Sequence, residues 1–284
     1  MDINAAASFL TGHGRLLDRR RFQLLTGHGD SAAVLAAVDG YRNPDGGYGW
    51  GMEPDLRAAE SQPGGALHAM EVFAELGTPT PQAAELCSWL ATISLPDGGV
   101  PFALPVADPT ACAPFWLEAA PESSLHSTAF VTAMALRVAK FDTAVASHPW
   151  LTSAVAYCER EIASLTSAPH PIALSYAVQV ADCLDSRELL DKLGSYLPDD
   201  GVLHVTGGAP DEYLRPLDFA PFPGPARSLF SPAVIKADLA RVDGEQQADG
   251  GWPVPFGSFS PMATLEWRGY ATVKAVAVIA SGSS

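Results

Sequence analysis

Apolar residues recur with helical spacing through most of the chain, and they sort into two kinds of segment. Segments 65–76, 125–139, 171–184, 229–242 and 269–279 are rich in Ala, Val and Leu. The run Ser127-Thr128-Ala129-Phe130-Val131-Thr132-Ala133-Met134-Ala135-Leu136 is apolar almost all round. A helix without a polar face has to be covered on every side. Segments 32–41 and 81–93 precede such helices, and the companion set carries the charge, as in Ser186-Arg187-Glu188-Leu189-Leu190-Asp191-Lys192. No strand-like alternation recurs, so the pattern predicts an all-α protein.

The two kinds of helix are separated by a turn that keeps time. Pro44-Asp45-Gly46-Gly47-Tyr48, Pro96-Asp97-Gly98-Gly99-Val100, Asp199-Asp200-Gly201-Val202 and Ala248-Asp249-Gly250-Gly251-Trp252 place their Asp residues 52, 103 and 49 positions apart. The middle interval is about double the others, which predicts a degenerate copy near 147–150. Asp bonds its own backbone two residues on, Gly accepts a positive φ, and Pro presets the entry. Fifty residues hold two helices of three to four turns and their connections. The beat therefore predicts five to six helical hairpins in an α/α toroid, an inner apolar ring inside an outer amphipathic one. One domain spans 1–284, with N-terminal helices in 1–30 and a flexible tail at 281–284. An open helical-repeat array is the structural rival.

Composition narrows the function classes. The chain has 284 residues, 48% of them apolar, and 17 Lys+Arg against 32 Asp+Glu give a net charge of −15. A nucleic-acid or anionic-membrane surface needs a basic footprint, and none is visible. Apolar runs are too broken by Glu, Arg and Pro to span a membrane. The start, Met1-Asp2-Ile3-Asn4, lacks the basic region of a signal peptide, so a cytoplasmic location is expected. Four widely spaced cysteines (Cys87, Cys112, Cys158, Cys183) read as reduced core residues. Leu-Thr-Gly-His-Gly occurs at 10–14 and 25–29 but has no carboxylate company, and no metal or other cofactor is expected. Segment 16–21 reads as a solvated helix face.

Gln246-Gln247-Ala248-Asp249-Gly250-Gly251-Trp252 resembles the QW motif of squalene–hopene cyclases and related terpenoid cyclases, and the other DGG turns resemble weaker copies. These cyclases and the protein prenyltransferase β subunits share the α/α toroid. The resemblance implies a structural role for Gln246 at a helix end and for Trp252 between helices. It does not extend to chemistry: neither the DxDD nor the DDxxD motif of such enzymes occurs, and no arrangement matches the prenyltransferase zinc ligands.

Candidate chemistry lies in the loops that follow the turns. Segment 48–63 packs Trp50, Glu53, Asp55 and Arg57 ahead of an apolar helix, which makes Asp55 a candidate catalytic acid or base with the others binding substrate. Desolvation raises a carboxyl pKa there, and an Arg nearby lowers it. Loop salt bridges and helix caps are the bland alternative. Segment 213–223 sets one carboxylate, Asp218, in an apolar aromatic stretch beside Phe219, with Arg227 as its partner or a substrate's; Asp218 is the second catalytic candidate. Glu266, Trp267 and Arg268 sit where an inner helix is expected to start, Glu266 as a cap. Trp116 and His126 complete the substrate-binding candidates, the aromatics being placed to stabilise a cation.

The chain thus reads as a terpenoid-cyclase-like enzyme, a cyclase or isomerase acting on an apolar, isoprenoid-like substrate in a central cavity by acid–base chemistry. Alternatives are a non-catalytic binding protein for a hydrophobic ligand or peptide, and a polysaccharide-processing α/α barrel.

Overall fold

A computed structural model describes residues 1–282. The described residues are mostly α-helical. The chain, read above as one domain, resolves into two compact units: Met1–Ala37 with Leu197–Ser284, and Val38–Tyr196.

In the second unit the main helices are α4 (Pro63–Leu76), α5 (Pro81–Ile93), α7 (Leu125–Ala139), α9 (Pro149–Ser164), α10 (Pro171–Cys183) and α11 (Arg187–Gly194). Two short turns of helix, α6 (Pro114–Leu117) and α8 (Thr143–Ala146), lie between them. Helices α4, α7 and α10 pack side by side in one row; α5, α9 and α11 form a second row against it. The division follows the sequence. Residues 127–135 of α7 are all buried, as are 63–70 of α4. On the outer α11 only Leu189, Leu190 and Leu193 are buried, spaced to make one apolar stripe.

The first unit holds α1 (Ile3–His13), α2 (Leu16–Leu25), α12 (Pro216–Phe219), α13 (Pro232–Gly244) and α14 (Pro261–Gly282), with a two-strand antiparallel ladder of β1 (Leu203–His204) and β2 (Tyr213–Leu214). Helix α3 (Ser31–Val38) carries the chain to the second unit. Here α14 packs against α1, α2 and α13, so the first and last helices of the chain are neighbours.

Eight of the 24 prolines are α-helix starters. Pro opens α4, α5, α6, α9, α10, α12, α13 and α14, where its missing N–H costs nothing and its φ is already helical. The DGG turns are one structure made four times. Gly46, Gly98, Gly201 and Gly250 all have positive φ, between 66° and 93°. In each, the Asp Oδ1 accepts the backbone N–H two residues on, at 2.9–3.1 Å. In three of them the glycines lie on an outer helix at two positions four apart: Glu85 and Trp89, Ser153 and Tyr157, Ala5 and Phe9. A Cβ on Gly98 would stand 2.7 Å from the Ser153 carbonyl. Gly98→Ala is therefore expected to cost about 2 kcal/mol or more, from the left-handed backbone and the collision together. Urea unfolding of the variant measures it.

Several expectations shift. Residues 147–150 are not a degenerate turn: they join α8 to α9, with His148 capping α9 and Pro149 opening it. The turn is missing instead at 165–170, between α9 and α10. Segment 229–242, expected as an inner helix, becomes α13, where only Ile235 and Asp238 are buried; its Lys236, Asp243 and flanking charges suit an outer surface. Residues 281–282 belong to α14 and not to a tail; 283–284 lie outside the described residues. The face at 16–21 is not solvated either. Asp18 and Arg21 are buried, and Arg15 Nε donates to Asp18 Oδ2 at 2.8 Å. An ion pair can sit in the interior when its hydrogen bonds are made. The two Leu-Thr-Gly-His-Gly stretches end α1 and α2.

Candidate functional site

The loop from Tyr48 to Gln62 is pinned along its length before it delivers α4. Trp50 N–H donates to the Ala58 carbonyl at 2.7 Å, and Gln62 N–H to that of Tyr48 at 2.9 Å. Ala113 N–H donates to the Asp55 carbonyl at 2.8 Å. This holds Glu53 and Asp55 in the interior, both about 5% exposed. Trp50 goes the other way. It is 58% exposed, with left-handed backbone, and its indole donates to Asn43 Oδ1 at 2.7 Å.

Glu53 meets a residue that sequence reading passed over. His68 Nε2 lies 2.9 Å from Glu53 Oε2, and His68 Nδ1 lies 3.6 Å from Glu71 Oε2. The second Glu53 oxygen accepts the Asp55 N–H at 3.1 Å. Burial works against a charged ring at His68. The hydrogen bond to Glu53 and the nearby Glu71 carboxylate outweigh it and hold the imidazolium above its usual range. The signal was present in His68-Ala69-Met70-Glu71, two polar residues three apart in an otherwise apolar helix, where side chains share a face.

From His68 a chain of rings runs across the buried row. Phe130 stands edge-on to His68 at 6.3 Å and stacks on Tyr176 at 4.2 Å. Tyr176 meets His126 edge-on at 5.2 Å, and His126 meets Phe102 at 5.1 Å. Phe102 stacks on Trp116 at 4.5 Å. Trp116 then returns to the start. Its ring and the Glu53 side chain both come within 3.4 Å of the point where a Cβ on Gly64 would stand. Helices α4, α7 and α10 with the loops before them thus set a series of rings that starts at the buried carboxylate–imidazole pair and ends beside it. His126 lies in the first turn of α7, which Ser124 caps. Burial, with His170 adding to it, pushes its pKa down to about 4, so it is neutral where His68 is charged.

In the first unit the expected site residues are structurally employed. Asp218 Oδ2 accepts the Arg215 N–H at 2.9 Å as part of the cap of α12, and Oδ1 lies 3.5 Å from Lys274 Nζ. Its side chain is about one-third exposed, not a desolvated acid. Arg227 donates to the Ala220 and Pro221 carbonyls at 2.7 and 2.9 Å, fastening that loop. Phe219 is fully buried against Phe230. Arg268 forms a two-pronged pair with Asp249 at 2.8 Å and lies over the Phe9 ring. Glu266 is in the second turn of α14, which starts at Pro261 with Ser260 accepting the Ala263 N–H, so it is not the cap. Trp267 stands between Phe256 and Tyr270. A surface groove of about 330 Å³ is lined by Met1, Leu239, Ala240, Asp243, Ile279 and Gly282, none of them an expected site residue.

Gln246 and Trp252 tie this unit together. Gln246 accepts the Asp2 N–H at 2.6 Å and donates to the carbonyls of Asp2 and Gly250. Trp252 is buried with Phe9, Phe22 and Val276, its indole donating to the Val242 carbonyl at 2.7 Å.

Among the described residues no group of three or more His, Cys, Asp or Glu is placed to hold a metal ion, and no helix is long and apolar enough to cross a membrane. The cysteines are unpaired thiols, and burial pushes Cys87 and Cys158 up to about 12.

No family model and no curated protein matches the chain. Among solved structures it is similar to the crystal structure of a protein from Actinoplanes, with a TM-score of 0.59 at 14% identity over 99% of this chain and 98% of that one. That likeness shows a shared fold.

Proposed function

We propose that the protein is a cyclase- or isomerase-like enzyme of the α/α toroid class, working on an apolar substrate by acid–base chemistry at the Glu53–His68 pair. The toroid reading is supported by the paired rows of helices within the second unit and by the repeated turn. The observation that carries the chemistry is the buried imidazole held between two carboxylates and facing a wall of rings. A general acid near neutrality needs its pKa lifted toward the working pH, which the carboxylates do for His68. As the acid, the His68 imidazolium gives its proton to the substrate and becomes a neutral imidazole; it becomes an imidazolium again when it takes a proton from the cation that results. Ring faces stabilise that positive charge, and the buried setting keeps water from trapping it. Asp55, in the same buried loop as Glu53, adds a third carboxylate to the site. Asp218 serves its own unit.

Native mass spectrometry of the purified protein, followed by incubation of the co-purifying molecule with enzyme in D2O, tests this. Deuterium uptake into a rearranged product is expected for the wild type. It should be lost in His68→Gln and Glu53→Gln, with binding retained. A molecule that returns unlabelled and unchanged would establish a binding protein instead.

A further inference from the structure

Resting on that reading of the site, the geometry points to the class of ligand: a neutral apolar molecule carrying one hydrogen-bond-accepting oxygen, a carbonyl or ether, that docks on the indole N–H of Trp116. Trp116 is 8% exposed, and its Nε1 is buried with no hydrogen-bond partner among the described residues. An unmet donor in the interior carries an uncompensated desolvation cost, so a group that satisfies it binds with that advantage. Other buried donors lack a partner, Trp150 Nε1 among them, but Trp116 alone of these belongs to the ring series and adjoins the acid.

The chemistry of the neighbours selects among ligands. Indole N–H donates and never accepts, so an ammonium group gains nothing from it. Glu53 reaches within 3.4 Å of the same Gly64 position as the Trp116 ring, and both its oxygens are engaged, by His68 and by the Asp55 N–H. A ligand carboxylate or phosphate would be set beside that buried charge and repelled. The stacked Phe102 leaves the body of the ligand an apolar surround. A plain hydrocarbon would leave the indole unmet. A neutral acceptor oxygen on an apolar frame fits all three constraints.

A matched set of bicyclic probes separates these ligands: 1-indanone, indane, protonated 1-aminoindane and indane-1-carboxylate. Binding is followed by calorimetry, and the indole 15N–H resonances by NMR, with Trp116 assigned through Trp116→Phe. The ketone is expected to bind about tenfold more tightly than indane, a difference of 1.4 kcal/mol, and to move the Trp116 resonance downfield. Trp116→Phe should bring the ketone down to the affinity of indane. Equal binding of indane and indanone overturns the inference while leaving an apolar site. Tightest binding of the amine or the carboxylate overturns it as well. If none of the four binds, the apolar-ligand reading falls with it.

Discussion

Trp252→Ala is expected to lower the stability of the first unit by about 3–5 kcal/mol, the usual loss when a large buried ring is truncated in a packed core. The ring is almost wholly enclosed by Ala6, Phe9, Leu10 and Phe22 from the start of the chain and Val273 and Val276 from its end. Its indole N–H also satisfies the Val242 carbonyl near the end of α13, and its backbone N–H donates to Thr272 Oγ1 at 3.1 Å. Truncation removes the volume and one of the two hydrogen bonds that the Val242 carbonyl accepts, the other coming from the Glu245 N–H at 3.3 Å. Trp252→Phe restores most of the volume without the N–H and should recover more than half of the loss. Hydrogen exchange of α1 and α14 amides reads the effect locally, and urea unfolding gives its size. A loss below about 1 kcal/mol for the Ala variant would show that this ring does not hold the helices together.

His68→Leu is the second large effect. It leaves Glu53 and Glu71 facing an apolar side chain, and breaking a buried charge pair by removing one partner costs about 3–5 kcal/mol. The pH dependence has a definite sign. The folded His68 pKa is raised above its unfolded value near 6.5, so the stability it lends is complete below that pH and fades as pH rises through the folded value. The gap between wild type and variant should therefore be widest near pH 6 and narrow as pH rises through the folded value. An NMR titration of the ring carbons should show His68 losing its proton at a higher pH than a free imidazole. A gap that instead widens with alkalinity would mean that His68 is neutral in the fold.

His126 tests the contrast from the other side. Its depressed pKa near 4 makes the folded state resist a proton that the unfolded chain accepts below about 6.5. This group therefore withdraws stability as pH falls from 6.5 toward 4. Two histidines in one series of rings respond oppositely to acid, because only one of them faces carboxylates.

The helical hairpins were legible in the sequence for a local reason. A DGG turn needs only Asp bonding its own backbone and Gly at positive φ, and those preferences operate within five residues. The apolar helices 65–76, 125–139 and 171–184 were legible too, because a helix buried on all sides has to be written without a polar face. Where the reading slipped, at 229–242 and at the start of α14, apolar content or a cap residue was present but its neighbours decided the outcome. Pro261 and Ser260 start α14 two turns before the Gly at 269 that seemed to open it.

The candidate site divides along the same line. Sequence singled out Glu53, Trp116 and His126 by type and by position in a loop or at a helix start, yet also Asp218, Arg227 and Arg268, which the fold spends on capping and clamping. Nothing local separates these two groups, since every one is a charged or aromatic residue in a Pro- or Gly-rich stretch. Only packing brings Glu53 onto His68 across fifteen residues, and Phe102, Phe130 and Tyr176 into one series from three parts of the chain. The beat of the turns was thus the sequence's own doing, because turn chemistry is short-ranged. Which carboxylate acquired an imidazole was settled by tertiary structure, because the energy of a buried charge depends on neighbours distant in the chain.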